Sequence, residues 1–192
     1  MPATDVELVR GALAGSEWAF RELVLRYQAP VYRLMVRMMR DPSRSEELAQ
    51  DTFVKAFRSL HTYDAQRKFA AWLLAIARNV AIDELRRGRL HTLPLEEPDT
   101  DGARIRETLE AGGPTPALIA ERLELARALE TAIGCLRPEY REIVTLRHEQ
   151  ELDYSEIAEI TGQPVGTIKS SLHRARKELA EHMERLGWSP AN

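Results

Sequence analysis

A short stretch of the chain, residues 165–177, carries positive charge and no acidic side chain. Its four basic residues are Lys169, Arg174, Arg176 and Lys177. The complete chain of 192 residues has the opposite balance, with a formal net charge of -3. A segment that gathers positive charge in an acidic protein indicates a polyanionic ligand, and nucleic acid is a common one.

The residues around this stretch have the spacing of a helix-turn-helix. Ile157, Ala158 and Ile160 supply the inner face of a short first helix. Gly162 favours the positive φ that ends such a helix, and Pro164 prevents its continuation. The second helix is predicted to pack back through three apolar residues, which are Val165, Ile168 and Leu172.

The other positions of the second helix remain available to DNA. They are Thr167, Lys169, Ser170, Ser171, His173, Arg174 and Lys177. Lysine and arginine bind phosphates or guanine edges, and serine or threonine can donate to either. The alternative interpretation is an ordinary helical hairpin with a solvated basic face. The glycine turn, the proline break and the absence of acids favour DNA binding.

Composition argues against several other classes of protein. Cys135 is the only cysteine, so no intramolecular disulfide can form and a reducing, cytoplasmic compartment is expected. The first residues contain no long apolar run, which predicts neither a signal peptide nor a membrane span. The five histidines are dispersed. Without metal-ligand spacing, a nucleophile–base pair or a phosphate-binding glycine loop, we expect no metal, no cofactor and no catalytic residue.

Apolar residues recur at helical spacing along nearly the whole chain, which predicts an all-α protein. A capping box at Thr4–Glu7 opens a first helix that turns Val6, Val9 and Leu13 inward. A second helix follows, and Pro30 is predicted to lie near the start of a separate third helix.

Residues 88–116 differ in composition, with four prolines, four glycines and few large apolar side chains. This composition predicts a flexible linker with one helical turn near residues 104–109. The chain then consists of two small helical domains, 1–88 and 116–192, joined by the linker 89–115. Fully extended, such a linker spans several tens of ångströms, enough to separate the domains by more than one turn of DNA.

The first helix of the second domain is predicted to begin at Thr115 and Pro116. The apolar residues that it turns inward are Leu118, Leu125, Leu129 and Ile133. Cys135 lies beside Ile133 and Leu136, so it is expected to be a small core residue rather than a redox sensor.

The helix predicted from Phe69 to about Arg87 is a second candidate for DNA binding. Arg86 and Arg87 make its C-terminal end basic, although cations there also simply favour the helix dipole. Tyr63 lies in the polar loop before it, close to the bases at 67–68, and aromatic residues near bases suit stacking on unpaired nucleotides.

Other side chains of this helix divide between core and surface. The spacing of Phe69 and Trp72 is more typical of core residues than of stacking platforms. Asn79 and Asp83 lie one helical turn apart and share a face, where both can hydrogen-bond bases. In the preceding helix, four residues lie opposite the apolar stripe: Glu47, Gln50, Asp51 and Lys55. Judged by charge alone, they are an ordinary solvated face.

Three segments together resemble one family. Residues 50–57 (QDTFVKAF), 69–87 (FAAWLLAIARNVAIDELRR) and 136–179 are similar to bacterial extracytoplasmic-function (ECF) sigma factors, in the same order and with a linker between. The resemblance implies two helical domains, called regions two and four, that bind core RNA polymerase and direct it to promoters. Region two would recognise and melt the minus-ten element, and region four would read the minus-thirty-five element.

The resemblance also implies partners and site residues. Residues expected to dock on the clamp helices of the polymerase β′ subunit are Glu47, Gln50 and Asp51, and region four is expected to meet the β flap. The minus-ten residues would be Tyr63, Ile76, Asn79, Asp83, Arg86 and Arg87. The minus-thirty-five residues would be Thr167, Lys169, Ser170, His173, Arg174 and Lys177. A sequestering anti-sigma factor is the further partner implied, and no membrane insertion is expected.

Two other classes compete with this interpretation. A free-standing repressor or activator would dimerise on a palindrome through the same helix-turn-helix. Such a protein has no need of the acidic helix or the aromatic loop upstream, which favours the sigma factor. An enzyme is the least favoured class, because no residue set for catalysis is present.

Overall fold

The computed structural model describes residues 3–89 and 116–188. These residues form eight α-helices, which are Asp5–Leu13 (α1), Glu17–Met39 (α2), Pro42–Arg58 (α3), Phe69–Arg89 (α4), Pro116–Cys135 (α5), Pro138–Val144 (α6), Tyr154–Thr161 (α7) and Val165–Arg185 (α8). A 3-10 turn at Leu60–Thr62 lies between α3 and α4, and a π-helical segment at Thr145–Glu149 follows α6. The described ranges contain no strand, and the all-α prediction is confirmed.

The predicted linker lies almost entirely outside the described residues. Of the linker 89–115, only Arg89, the last residue of α4, is described. The helical turn expected near 104–109 also lies outside them. The exact domain boundaries therefore stay predictions.

The start of α1 agrees with the sequence, and its buried face agrees in part: Val9 is buried as predicted, but Leu13 is not. The Thr4 hydroxyl accepts from the Glu7 backbone N–H at 3.3 Å, and the Glu7 carboxylate accepts from the Thr4 N–H at 2.8 Å. Leu8 and Ala12 are buried, whereas Leu13 is 55% exposed, contrary to the prediction. Each helical step turns a side chain by about 100°, so the register that buries Ala12 carries Leu13 away from the core.

Pro30 does not separate two helices, because it lies inside the single long helix α2. Proline has no N–H and removes the hydrogen bond to the Arg26 carbonyl, which costs about 3 kcal/mol in a helix interior. The helix continues because the residues beyond the proline are completely buried: Val31, Leu34 and Met35. The prediction of two helices here was wrong.

The first domain is built around α2, against which α1, α3 and α4 all pack. Leu23 of α2, Leu48 of α3 and Leu73 of α4 are each at most 2% exposed. Phe69 is also buried, as predicted, while Trp72 is half-buried. This packing fixes the direction of α4 and therefore the face that its polar residues present.

The second domain packs α5, α6 and α7 against α8. Only the last part of α5 contributes fully buried residues, which are Ala132 and Ile133, and the buried Leu136 follows directly after the helix. Leu125 and Leu129, which were predicted to point inward, are 41% and 38% exposed. No described helix of this domain covers the middle of α5, which explains the difference.

Cys135 is exposed, and the prediction that it lies in the core was wrong. It is the last residue of α5, and its neighbours Ile133 and Leu136 take the two buried positions around it. The side chain of Leu118 lies outside the described part of α5.

The two domains are in contact. Helix α4 of the first domain packs against α7 of the second, and α2 packs against α6 and the π-helical segment. The buried apolar residues of both domains belong to one contiguous cluster. The helix-turn-helix is thereby placed next to the helix expected to read the minus-ten element.

Candidate nucleic-acid interface

The turn of the helix-turn-helix has the backbone that its sequence predicted. Gly162 ends α7 with a φ of 70°, in the left-handed region. Asp153 caps the start of α7 by accepting from the Glu156 backbone N–H at 2.9 Å, and the Glu156 carboxylate accepts from the Asp153 N–H at 2.8 Å. Hydrogen bonds from the Ser155 hydroxyl and the Glu156 N–H lower the pKa of the Asp153 carboxyl. Both ends of this short helix are therefore fixed locally.

The second helix of the motif, α8, turns one face to the core and the other to solvent. Ile168, Leu172 and Ala175 are buried. Val165 is 39% exposed, contrary to prediction, because the first residue of α8 extends past the packed turn. Of the side chains predicted to be available to DNA, Ser171 is half-buried and the other six are exposed: Thr167, Lys169, Ser170, His173, Arg174 and Lys177.

Two of these side chains have partners within the protein. The Lys169 ammonium lies 5.7 Å from the centre of the Tyr154 ring, which Arg147 also approaches at 5.1 Å. The Ser170 hydroxyl donates to the Thr167 carbonyl at 2.9 Å. The Ser170 hydroxyl can instead donate to an oxygen acceptor of DNA, because the Thr167 carbonyl also accepts a backbone hydrogen bond within the helix.

A basic concavity lies at the side of α8 and was not predicted from the sequence. Arg174 and Lys177 line a depression of about 530 Å³ together with Arg137, Tyr140 and Cys135. Arg137 comes from the turn before α6, so the depression joins residues distant in sequence. Helical spacing alone gives no signal for such a junction.

The predicted minus-ten loop is organised by aromatic rings. Tyr63 is half-buried, and its ring centre lies 5.3 Å from that of Phe69 and 5.7 Å from that of Trp72. Its hydroxyl donates to the Arg67 carbonyl at 2.6 Å, which closes the loop on itself. Burial, and then the charges of Asp5 and Asp64, raise the pKa of Tyr63, so the phenol remains a neutral donor.

The remaining minus-ten residues follow along one side of α4. Ile76 is half-buried, and Asn79 and Asp83 are exposed one turn apart, as the spacing predicted. Arg86 and Arg87 are exposed beyond them. The structure thus places Tyr63 against Phe69 and Trp72 in the first turn of α4, and the other predicted residues extend from there towards the C-terminal end of the helix.

The predicted polymerase-docking residues lie on α3. Glu47, Gln50 and Asp51 are all exposed. Arg44 pairs with Glu47 and also reaches Glu84 of α4 at 2.7 Å. The acidic face of α3 is therefore tied to the helix of the minus-ten residues.

An apolar groove beside this surface was not predicted. Gln50 is at the edge of a groove of about 460 Å³ between α2 and α3. Apolar residues on its walls include Val24, Ala29, Tyr32 and Phe53. The predicted break at Pro30 placed Val24 and Tyr32 on different helices and concealed the groove.

Ion pairs cross between the domains with a consistent polarity. Within the described residues there are six, and they are Arg33–Glu149, Arg37–Glu130, Arg37–Glu149, Arg67–Glu159, Lys68–Glu156 and Arg78–Glu142. In every pair the base belongs to the first domain and the acid to the second. None of these pairs was predicted from the sequence.

Arg78–Glu142 is the most buried of these pairs, with side chains 16% and 7% exposed. Burial raises the pKa of the Glu142 carboxyl, and the charge of Arg78 works in the opposite direction. Arg141 next to it is also buried, and burial lowers its pKa. The domain contact therefore includes a buried polar pair, beside its apolar cluster, whose burial depends on its pairing.

Other kinds of site are not found in the described parts of the chain. Residues 3–89 and 116–188 hold no group of three or more side chains suited to a metal ion. None of the helices described there is both long and apolar enough to cross a bilayer.

An exposed basic helix-turn-helix, combined with a helical domain that carries an aromatic loop, defines a two-domain DNA-binding protein. Family models agree with this division. The model for Sigma-70 region 2 matches residues 23–90, and the model for Sigma-70, region 4 matches residues 126–179.

Full-length relatives narrow the class. The chain is 33% identical to the ECF RNA polymerase sigma factor SigW of Bacillus subtilis, over 90% of this chain and 92% of the relative. It is 34% identical to the ECF RNA polymerase sigma-E factor of Escherichia coli, over 95% and 96%. The protein belongs to the ECF RNA polymerase sigma factors.

Solved structures give the same fold. CnrH in complex with the cytosolic domain of CnrY matches with a TM-score of 0.65 and 26% identity, over 93% of this chain and 96% of that one. The sigma factor RpoE of Bartonella quintana, in complex with the anti-sigma factor NepR, matches with a TM-score of 0.62 and 26% identity, over 86% and 96%.

Proposed function

We propose that this protein binds core RNA polymerase and directs it to specific promoters. The observation that carries the proposal is that both candidate DNA-reading surfaces are exposed on domains that match sigma regions two and four. The docking surface consists of Glu47, Gln50 and Asp51 on α3, and its partner is the β′ clamp helices. Region four meets the β flap.

The first domain reads and melts the minus-ten element. A base flipped out of the duplex loses stacking energy and regains it by stacking and by hydrogen bonds at its edge. Tyr63 supplies the ring, Asn79 and Asp83 supply donors and acceptors, and Ile76 supplies an apolar wall. Arg86 and Arg87 hold the adjoining phosphates.

The second domain reads the minus-thirty-five element in the major groove. Lys169, Ser170, His173 and Arg174 face the base edges, where arginine forms paired hydrogen bonds with guanine. Thr167 at the helix entry and Lys177 further along contact phosphates, which position α8 without selecting sequence.

Regulation and location follow from the same assignment. The solved sigma factor RpoE is bound to the anti-sigma factor NepR, which supports a sequestering anti-sigma factor as a partner of this chain. Because it acts with the polymerase on the chromosome, the protein works in the bacterial cytoplasm. Its role is that of an initiation factor without catalytic residues or cofactors of its own, and the polymerase performs the chemistry.

Transcription in vitro tests the proposal. Core polymerase, with and without the purified protein, is incubated with a fragment library of genomic DNA, and the start sites are mapped. We expect discrete start sites with a shared upstream pair of elements only when the protein is present. Absence of initiation at every fragment, with no inhibitor present, would refute the assignment.

A gel-shift experiment separates the repressor alternative. The purified chain alone is expected to bind duplex promoter DNA poorly, and the complex with core polymerase is expected to bind it well. Tight, sequence-specific binding by the chain alone to a palindrome would instead support a free-standing regulator.

A further inference from the structure

The loop and helix that carry the minus-ten residues also carry cations that already hold anions. The Arg67 guanidinium contacts the Glu159 carboxylate at 2.9 Å, and the Lys68 ammonium contacts Glu156 at 3.1 Å. Both acids are on α7, the first helix of the helix-turn-helix. One turn of α7 therefore presents two carboxylates to two adjacent cations.

These cations lie next to the proposed base pocket. The carbonyl of Arg67 accepts the hydroxyl of Tyr63 at 2.6 Å, and Lys68 immediately precedes Phe69 at the start of α4. A nucleotide stacked at Tyr63 would bring its phosphates within reach of Arg67 and Lys68, because positively charged side chains beside a stacking ring track the backbone of a bound strand.

We propose that Arg67 and Lys68 form a phosphate-binding pair for the single-stranded minus-ten DNA, and that acids of the second domain occupy this pair in the closed molecule. Glu156 and Glu159 then act as an intramolecular substitute for the DNA backbone. The inference rests on the proposed function and adds a site and a competitor to it.

The polarity of the contact supports competition rather than simple adhesion. All the described ion pairs between the domains place the base on the first domain, and the acid on the second. Simple adhesion between two domains does not require all the bases to lie on one domain and all the acids on the other. A surface that binds a polyanion requires its bases on one side, and an internal competitor requires acids opposite them.

The strength of the pairs suits displacement. The side chains of Arg67 and Lys68 are 61% and 60% exposed, so water and salt weaken their pairs with α7. A DNA strand offers several phosphates at once, whereas α7 offers two carboxylates. The strand therefore replaces the acids and separates α7 from α4.

Neutral variants of the α7 acids test the inference in the full-length chain. The double variant Glu156→Gln, Glu159→Gln keeps a side chain that can close the α7 capping box. Its matched control is Glu121→Gln, Glu124→Gln, which removes two exposed acids with the same spacing from α5. Binding of a fluorescein-labelled single-stranded oligonucleotide is followed by anisotropy without polymerase.

Domain separation is measured on the same variants. An Arg21→Cys substitution on the exposed face of α2, together with the natural Cys135, allows two dyes to report the distance between domains. We expect the α7 variant to separate its domains and to bind the oligonucleotide about 3- to 10-fold more tightly than the α5 control. A third variant, Arg67→Gln, Lys68→Gln, is expected to separate the domains yet bind the oligonucleotide more weakly than the wild type.

Other outcomes overturn the inference. An α7 variant that separates its domains without tighter binding would make the contact a matter of packing alone. Equal affinities and equal distances in the α7 and α5 variants would exclude the competition. A further combination is initiation of transcription by the wild-type protein with core polymerase, together with equal affinities and distances in the α7 and α5 variants. That combination would refute the inference and leave the proposed function standing. Failure of initiation would refute the function separately.

Discussion

Asp51 owes its exposure to the register of α3. Leu48, Thr52 and Ala56 occupy the buried side of the helix, which turns Asp51 and Gln50 outward. An exposed carboxylate with no structural task can be reversed in charge without disturbing the core. Its role in docking is therefore open to a clean test.

The substitution Asp51→Arg is expected to abolish measurable binding to core polymerase while leaving the fold intact. Reversing the charge converts an attraction at the proposed clamp-helix contact into a repulsion, and like charges in an interface cost several kcal/mol. Affinity for core enzyme, measured by titration with labelled protein, reports the loss. Glu124→Arg, on the exposed side of α5, is the control and should bind normally; normal binding by Asp51→Arg would reject the docking assignment.

Arg174 is exposed on α8 and also borders the basic concavity, so two kinds of DNA contact are open to it. We expect Arg174→Ala to weaken initiation by about 1–3 kcal/mol, because a paired contact with guanine is lost. Transcription from templates that vary only in the minus-thirty-five element provides the measurement. Arg176→Ala, two positions along the same helix, is the comparison and should have a smaller effect.

The sequence dependence of the Arg174 result decides its role. A loss confined to templates with one particular base identifies a base contact. An equal loss on every minus-thirty-five sequence would contradict that assignment and make Arg174 a phosphate contact. Removing a phosphate contact would also lower the salt dependence of binding.

At the level of the elements, the turn between α7 and α8 determines where the basic face points. Gly162 adopts a φ of 70°, and a Cβ built on it meets no atom within 4 Å. Substitution by alanine therefore costs backbone strain and nothing else. The glycine is needed for its conformation and not for space.

We expect Gly162→Ala to lower the free energy of unfolding by about 1–2 kcal/mol, which is the cost of a left-handed conformation for a residue with a Cβ. Gly166→Ala in the first turn of α8 is the matched control, since a Cβ there also meets nothing within 4 Å. Gly166 has no positive φ, so alanine should stabilise the helix by about 0.5 kcal/mol. Chemical denaturation measures both, and equal effects of the two substitutions would contradict the argument.

Local sequence signals predicted the elements where the chain determines its own conformation. The capping boxes at Thr4 and Asp153 and the turn at Gly162 depend on residues within a few positions of each other, and all three are present. Pro30 is the counterexample, because burial of the residues after it outweighs the lost hydrogen bond. That burial comes from helices elsewhere in the chain that pack against α2, which no local pattern contains.

In the candidate site too, features within one helix were predicted from the sequence and features between helices were not. Helical spacing placed Asn79, Asp83 and the exposed face of α8 correctly, since each lies on one helix. The groove between α2 and α3, the concavity near Arg137 and the exposure of Cys135 depend on how separate helices meet. Features of that kind require the three-dimensional packing.

For the whole molecule, the central question is whether the two domains form one unit or a pair that opens. Their contact contains a buried ion pair, in which the side chains of Arg78 and Glu142 are 16% and 7% exposed. A buried ion pair contributes little net stability, but a buried carboxylate that has lost its partner is costly. Removing Arg78 therefore distinguishes the two arrangements.

We expect Arg78→Ala to open the molecule rather than unfold it. In a rigid unit the unpaired Glu142 would stay buried and cost about 3–5 kcal/mol of unfolding free energy. If the domains separate, the carboxylate reaches water, and the loss should remain below about 1 kcal/mol. Denaturation gives the free energy, and the distance between dyes at an Arg21→Cys substitution and Cys135 gives the separation. Arg86→Ala, exposed near the end of α4, is the control and should change neither.

The opening of the Arg78→Ala variant is also expected to depend on pH. Burial raises the pKa of Glu142, and the nearby charge of Glu139 raises it further. A group whose pKa is raised in the closed state takes up a proton there, so a falling pH favours that state. Once protonated, Glu142 no longer needs Arg78, and the Arg78→Ala variant should close again as the pH is lowered and Glu142 takes up its proton. An Arg78→Ala variant that stays open at acidic pH would contradict the role assigned to Glu142, and one that loses several kcal/mol at pH 7 without opening would show that the two domains behave as a single unit.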